Sequence, residues 1–349
     1  MWKKTATDLP NLGQTWAEPK AFKVKAVADP VVMFGAGYDG GEDDSPATSN
    51  NVGQGVYVLN AKTGALIRFF QAAASGGAIS KSVPSDVAAI DADSDSFIDR
   101  AYVGDTGGSV WRMDIDALDP ANWKMFKLAD LGSGVPAVPR KFFFRPDVLL
   151  AKGFTLLLIG TGDREKPLAT TSADRFYMLK DSFTGKDATG MVALTDADLV
   201  ASGPSVNAAK GWYLALNPAG EKVVNAPFTI GGVTYFATNK PTPTASGSCA
   251  TSLGEARVYG LDFLTGAAGL DRNGDGVKDA SDAFVKLAGG GLAPSPVGGI
   301  VQLDNGLMLN FVIGGGGGAG QASALAPEKP AIVINPNRTK IFWDIKTDK

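Results

Sequence analysis

Histidine is absent from this sequence of 349 residues, and cysteine occurs once. A serine–histidine hydrolase, a cysteine–histidine protease and a histidine-bound zinc or iron site are therefore excluded. The lone thiol, Cys249, cannot form an internal disulfide. It lies in the polar stretch Thr242–Ser252, either as an inert loop thiol or as half of a pair whose partner lies in missing sequence. Long apolar runs are also lacking. The longest, Phe154 to Ile159, is far too short to span a bilayer. The start, Met1-Trp-Lys-Lys-Thr-Ala-Thr-Asp8, carries no apolar signal segment. Cytoplasmic residence, or a fragment whose signal lay upstream, is expected. Neither charge sign dominates: 33 basic and 36 acidic residues leave a net charge of −3. Without a cationic stripe, a nucleic-acid partner is not expected. Sustained helical periodicity is missing too.

What is abundant is glycine, 44 residues against an average of about 7%. The glycines punctuate short β-branched and aromatic runs, which suits many tight turns between many short strands. Apolar residues make up 44% of the chain, enough for a sizeable core. An all-β fold is predicted.

A unit recurs along the chain: an apolar strand, a Gly-rich turn, then a second strand with aromatics that ends in Asp or Asn. The first copy is Val31–Tyr38 with Val56–Asn60 and the turn Lys62-Thr-Gly64. The second is Ala101–Asp105 with Val110–Asp114. Leu156–Gly162 with Phe176–Lys180, followed by Thr184-Gly185, makes a third. Val233–Ala237 with Val258–Asp262, followed by Thr265-Gly266, makes a fourth. The fifth is Met308–Ile313 with Lys340–Asp344. Such a unit cannot bury both strand faces alone, so copies must stack, and radial stacking gives a β-propeller of small antiparallel sheets. A β-sandwich is the alternative, but it would not require the repeat. With about five units visible, an incomplete ring or an atypical blade stays open; residues 1–349 are read as one propeller domain.

Between the two strands of the unit lies a short turn in the second copy. In the others it is a long polar insertion: Asp39–Gly55, Asp163–Arg175, Asn239–Arg257 and Gly314–Thr339. Recurring at one point of the unit, these insertions should gather on one face of the disc, where they are either solvated loops or a binding face.

Two acidic loops carry the chemistry. In Asp91-Ala-Asp93-Ser-Asp95-Ser-Phe97-Ile-Asp99, carboxylates stand at positions 1, 3, 5 and 9, and the main-chain carbonyl of Phe97 can join them. Calcium takes six to eight oxygens and tolerates mixed carboxylate and carbonyl ligands. Crowded carboxylates repel without a cation, so the pattern predicts Ca2+ rather than a solvated acidic turn. Position 12, where an EF-hand needs its bidentate acid, is Tyr102, so this loop is a shortened one. The second loop offers Asp271, Asn273, Asp275, Asp279 and Asp282 at positions 1, 3, 5, 9 and 12, with the Val277 carbonyl at 7 and Gly276 at the sharp turn. Flanking helices are not evident, so it reads as a calcium loop grafted between strands. If the strands form a simple meander, both metal loops lie on the face opposite the insertions.

The series Pro84-Ser-Asp86-Val, Asp91–Asp99, Arg100-Ala-Tyr-Val-Gly-Asp105-Thr-Gly-Gly-Ser-Val-Trp111-Arg-Met-Asp114 resembles the C-terminal propeller of PilY-type (PilC-type) type IV pilus proteins. Phe34–Tyr38, Val56–Gly64, Ile159–Asp163 and the ending Ile341–Ile345 look like the same family's strands. The resemblance implies a secreted, surface-exposed pilus-tip factor with roles in assembly, adhesion, surface attachment and twitching motility. Its calcium loop would regulate pilus extension and retraction through Asp91, Asp93, Asp95, the Phe97 carbonyl and Asp99. Minor pilins or the pilus tip, and a host surface or polysaccharide, are the partners implied. No counterpart of the family's adhesive N-terminal region or signal peptide is read in these residues, and Met1-Trp2-Lys3 looks like the tail of a preceding blade, so a sequence that starts inside the propeller is expected. An enzyme is not expected. The alternatives are a quinoprotein-like (PQQ-dependent) dehydrogenase propeller, for which no catalytic constellation is visible, and a carbohydrate-binding propeller resting on Trp123 and Trp212.

Overall fold

The central strands of each repeat are continuous apolar runs because both of their faces are covered. A computed structural model describes residues 1–314, apart from 45–50, 75–76, 133–139, 217–219, 243–251, 289, 303 and 305–307. The first sheet is a four-stranded antiparallel meander: β1 (Lys20–Val24), β2 (Val27–Gly35), β3 (Val56–Asn60) and β4 (Leu66–Phe70). The second repeats it with β5 (Ala88–Ile90), β6 (Arg100–Gly104), β7 (Ser109–Asp114) and β8 (Lys124–Asp130). The third contains β9 (Asp147–Ala151), β10 (Phe154–Gly160) and β11 (Arg175–Asp181). After β11 the chain makes β12 (Leu194–Thr195), which pairs parallel to β8 of the second sheet, and β13 (Val200–Ala201). Then β14 (Gly211–Ala215) completes the third sheet against β11, with β13 parallel at its edge.

In the fourth sheet, β15 (Lys222–Val223) and β16 (Phe228–Ile230) both pair with β17 (Val233–Lys240). β18 (Glu255–Asp262) and β19 (Phe284–Lys286) follow. A last antiparallel pair is β20 (Val297–Gln302) and β21 (Met308–Ile313). The partner expected for Met308–Ile313, Lys340–Asp344, lies outside the described residues, as do Cys249 and Ile341–Ile345. Among the described residues, Met308–Ile313 pairs with Val297–Gln302.

Strand alternation distributes each blade's side chains between two neighbours. On β6, Ala101 and Val103 join the cluster shared with the first sheet, while Tyr102 joins the one shared with the third. On β10, Leu157 and Ile159 face the second sheet, and Leu156 and Leu158 face the fourth. Between the third and fourth sheets Phe176, Phe236 and Tyr259 form a stack, with ring centroids 3.8 and 4.9 Å apart and the planes nearly parallel. All-β sheets stacked in chain order are what the repeat predicts.

Tryptophans seat the turns. A Cβ at Gly64 (φ +71°) would fall 2.7 Å from the Trp2 ring, and one at Gly266 (φ +69°) 2.8 Å from the Trp212 ring. The indole N–H groups donate to the carbonyls of Ala61 (2.9 Å) and Phe263 (3.1 Å) in the same turns. Trp2 thus does for the first sheet what Trp212, on the outer strand of the third, does for the fourth. That is the likeness to a preceding blade's tail noted above. Both Trp123 and Trp212 are fully buried. They are packing groups, so the sugar-stacking surface that would have rested on them is not there.

One interface is held by charge. Arg112, completely buried on β7, donates to Asp114 (2.8 Å), Asp181 (2.7 Å) and the carbonyls of Phe183 and Gly185 (2.5 and 2.7 Å). Tyr102 adds a hydrogen bond to Asp181 (2.7 Å). Removing one member of a buried pair leaves the other uncompensated. Asp181→Ala and Arg112→Ala are each expected to destabilise the fold by about 3–5 kcal/mol. Their double variant should cost clearly less than the sum in urea denaturation; full additivity would show that the pair is not coupled.

Candidate metal loops

The Asp91–Asp99 segment links β5 to β6, and its backbone is bent by two left-handed residues, Ser94 (φ 63°) and Ser96 (φ 74°). Its acids order the turn from within. Asp91 accepts from the backbone N–H groups of Asp95 (3.2 Å) and Ser96 (2.7 Å), and Asp95 from that of Phe97 (2.9 Å). Asp99, buried at the loop's end, accepts from Ala92 N–H (2.9 Å) and closes the turn. Carboxylate oxygens of Asp91, Asp93 and Asp99 all come within 4.8 Å of one another. Asp95 stands outside that trio, its carboxylate 2.5 Å from the Lys25 ammonium. Phe97 is half-buried beside it.

The electrostatics differ along the loop. Burial pushes the Asp99 carboxyl above its ordinary range. The Lys186 ammonium, 2.6 Å from Asp93, holds that carboxyl below its own. Lys25 also contacts Asp116 (2.6 Å), and Lys186 contacts it at 3.1 Å. Burial opposes ionisation of Asp116, but hydrogen bonds from both lysines prevail and keep its carboxyl low. Lys25, Lys186 and Asp116 are far from the loop in the chain and carry no motif. The one signal for them in the sequence is indirect, since crowded carboxylates demand cations.

The loop Asp271–Asp282, between β18 and β19, has the same local design. Gly274 (φ 76°) and Gly276 (φ 84°) are left-handed at the positions of Ser94 and Ser96. Asp271 accepts from their N–H groups at 2.7 and 2.9 Å, and Asp275 from Val277 N–H at 2.8 Å. Asn273 donates to Asp275 (3.1 Å). The closing carboxylate here is Asp282, wholly buried, which accepts from Arg272 and Asn273 N–H (2.9 and 3.1 Å). So Asp282 at position 12 does what Asp99 does at position 9. Asp279 turns aside instead. It caps a one-turn 3-10 helix, Ala280–Asp282, and accepting from Ser281 holds its carboxyl low. Of the expected ligands in this loop, Asp271, Asn273, Asp275 and Asp282 accept from the loop's own N–H groups and Asp279 from Ser281, but among the described residues the carboxylates of this loop do not converge as those of Asp91, Asp93 and Asp99 do. Val277 is exposed.

Meander topology sets the two faces. The long connections 36–55, 161–174 and 241–254 join the second and third strands of their sheets. The acidic loops join first to second (β5–β6) and third to fourth (β18–β19) strands, and so leave from the opposite strand ends. Every group found on the first loop agrees with this. Lys25 comes from the β1–β2 turn, Asp116 from β7–β8 and Lys186 from β11–β12. The expected separation of insertions and acidic loops is what the topology shows.

Small antiparallel sheets stacked in series, with acidic turn-loops at one end, define a β-propeller of the loop-decorated class. Residues 5–163 match the family described as the PilY1 beta-propeller domain. The crystal structure of the Pseudomonas aeruginosa PilY1 C-terminal domain superposes with a TM-score of 0.63 at 20% identity, covering 88% of this chain and 72% of that one. The type IV pilus biogenesis factor PilY1 homolog of Xylella fastidiosa is 23% identical over 311 residues, 77% of this chain but 20% of that protein. The chain therefore spans about a fifth of that relative's length. The resemblance carried by the Asp91–Trp111 block is borne out, and the fold is that of the PilY1 propeller.

A left-handed serine costs roughly 1–2 kcal/mol that glycine does not. Ser96→Gly should therefore leave the melting temperature unchanged or higher, and Ser96→Val should lower it by several degrees. A drop with glycine matching that with valine would contradict the loop geometry.

Proposed function

We propose that this chain is the calcium-binding propeller of a type IV pilus assembly and adhesion factor, acting as a scaffold rather than an enzyme. The observation that carries the reading is the convergence of Asp91, Asp93 and Asp99 on a turn bent at Ser94 and Ser96. Hard oxygen donors held this close repel one another unless a cation lies between them, and calcium accepts six to eight such oxygens. The residues fit the ion: both carboxylate oxygens of Asp91 are oriented by backbone N–H groups, and Asp99 is anchored by Ala92. Asp95 and the Phe97 carbonyl would complete the set from the loop's outer side. Asp271, Asn273, Asp275, the Val277 carbonyl and Asp282 would form the second site. Once bound, the cation supplies charge neutralisation and stiffens the loop.

The pilus assignment is supported by the matched family and by the Xylella fastidiosa relative, a type IV pilus biogenesis factor. A place at the cell surface or pilus, minor pilins as partners, and roles in extension–retraction balance, twitching motility and surface attachment follow from that reading. Among the described residues no helix is long and apolar enough to cross a membrane.

Calorimetry on the purified chain tests the metal reading. Two calcium-binding events are expected, and chelator should lower the melting temperature. Asp91→Ala or Asp99→Ala should abolish one event and leave the other. Asp95→Asn, outside the converging trio, should weaken that event less than either. No calcium heat and no chelator effect would refute the proposal. Pull-down of minor pilins with and without chelator tests the pilus half separately.

A further inference from the structure

Two ammonium groups occupy the same carboxylates that a metal ion would need. Lys25 lies 2.5 Å from Asp95 and 3.8 Å from Asp93, and Lys186 lies 2.6 Å from Asp93. Both are tied to a third acid outside the loop, Asp116, at 2.6 and 3.1 Å. The three elements belong to three different sheets: Lys25 to the first, Asp116 to the second and Lys186 to the third.

We propose that Lys25 and Lys186 are built-in counter-cations of the Asp91–Asp99 loop, competing with calcium for Asp93 and Asp95 and so setting its affinity. The inference rests on the calcium reading of this loop. Without metal, the lysines neutralise the loop acids and tie the first and third sheets to the second. A divalent cation among Asp91, Asp93 and Asp99 repels both ammoniums and claims the oxygens they hold. Each lysine keeps an anionic partner when it withdraws, because Asp116 lies outside the loop. Lys186 also has room to move: it lines an open cleft of about 580 Å3 together with Asp114, Asp116, Lys124 and Asp187. Filling the loop therefore releases the ties that Lys25 and Lys186 make to Asp93 and Asp95 and leaves only those to Asp116. The metal's effect reaches the junction of three blades rather than a single turn.

The test measures calcium affinity by calorimetry in a background carrying Asp271→Ala, which silences the second loop. Lys25→Met and Lys186→Met should each tighten binding, by roughly three- to tenfold for a partly exposed ammonium. Lys62→Met removes an exposed lysine from the β3–β4 turn, a connection leaving the same face, and should change affinity by less than about twofold, since distant surface charges are screened. Glutamine at positions 25 and 186 repeats the test should a methionine variant lose its cooperative melt. Unchanged or weaker binding in folded Lys25 and Lys186 variants overturns the competition, as does an equal gain from Lys62→Met. Absence of calcium heat in the Asp271→Ala parent, with none in the unmodified chain, overturns the calcium reading itself and this inference with it.

Discussion

A small sheet with two apolar faces is unstable by itself, and everything else in this chain follows from covering both. Each sheet donates alternate side chains to the neighbour before it and the neighbour after it, as Ala101 and Val103 against Tyr102 show. The strand edges and loops are then confined to the periphery and to two ends. Chemistry in such a fold has to be built on loops. Here the long polar connections leave from one end and the acidic loops from the other. That separation allows a metal-dependent change at one end without rebuilding the other.

The two acidic loops show how one local solution tolerates different lengths. Both place left-handed residues at the fourth and sixth positions and orient the first aspartate with backbone N–H groups. Both end in a buried carboxylate that accepts from the second residue's N–H. The shorter loop reaches that carboxylate at its ninth position, through Asp99. The longer one inserts a 3-10 turn and reaches it at the twelfth, through Asp282, which frees Asp279 to cap the turn. They differ most in their surroundings: lysines from two neighbouring sheets lean on the first loop.

What the sequence revealed depended on burial. The strands legible in the sequence, among them Val56–Asn60, Ala101–Asp105 and Val110–Asp114, belong to the inner pair of each meander, buried on both sides and so unbroken apolar runs. Their flanking strands lack that signature. Lys20–Val24, Leu66–Phe70 and Asp147–Ala151 each expose part of their length and mix charged with apolar residues. Short parallel additions such as Leu194–Thr195 are set by tertiary packing and have no local signature. The acidic loops were legible because their spacing is a local geometric requirement. Lys25, Lys186 and Asp116 were not, because their meeting is a product of blade stacking.

The most direct measurement is anomalous diffraction from crystals grown with a lanthanide in place of calcium, since these ions share its preference for hard oxygen ligands. A strong peak among the carboxylates of Asp91, Asp93 and Asp99, on the face opposite the insertions, is the predicted result. A well-ordered Asp91–Asp99 loop with no peak, its acids still bound to Lys25 and Lys186 at saturating ion, would contradict the account.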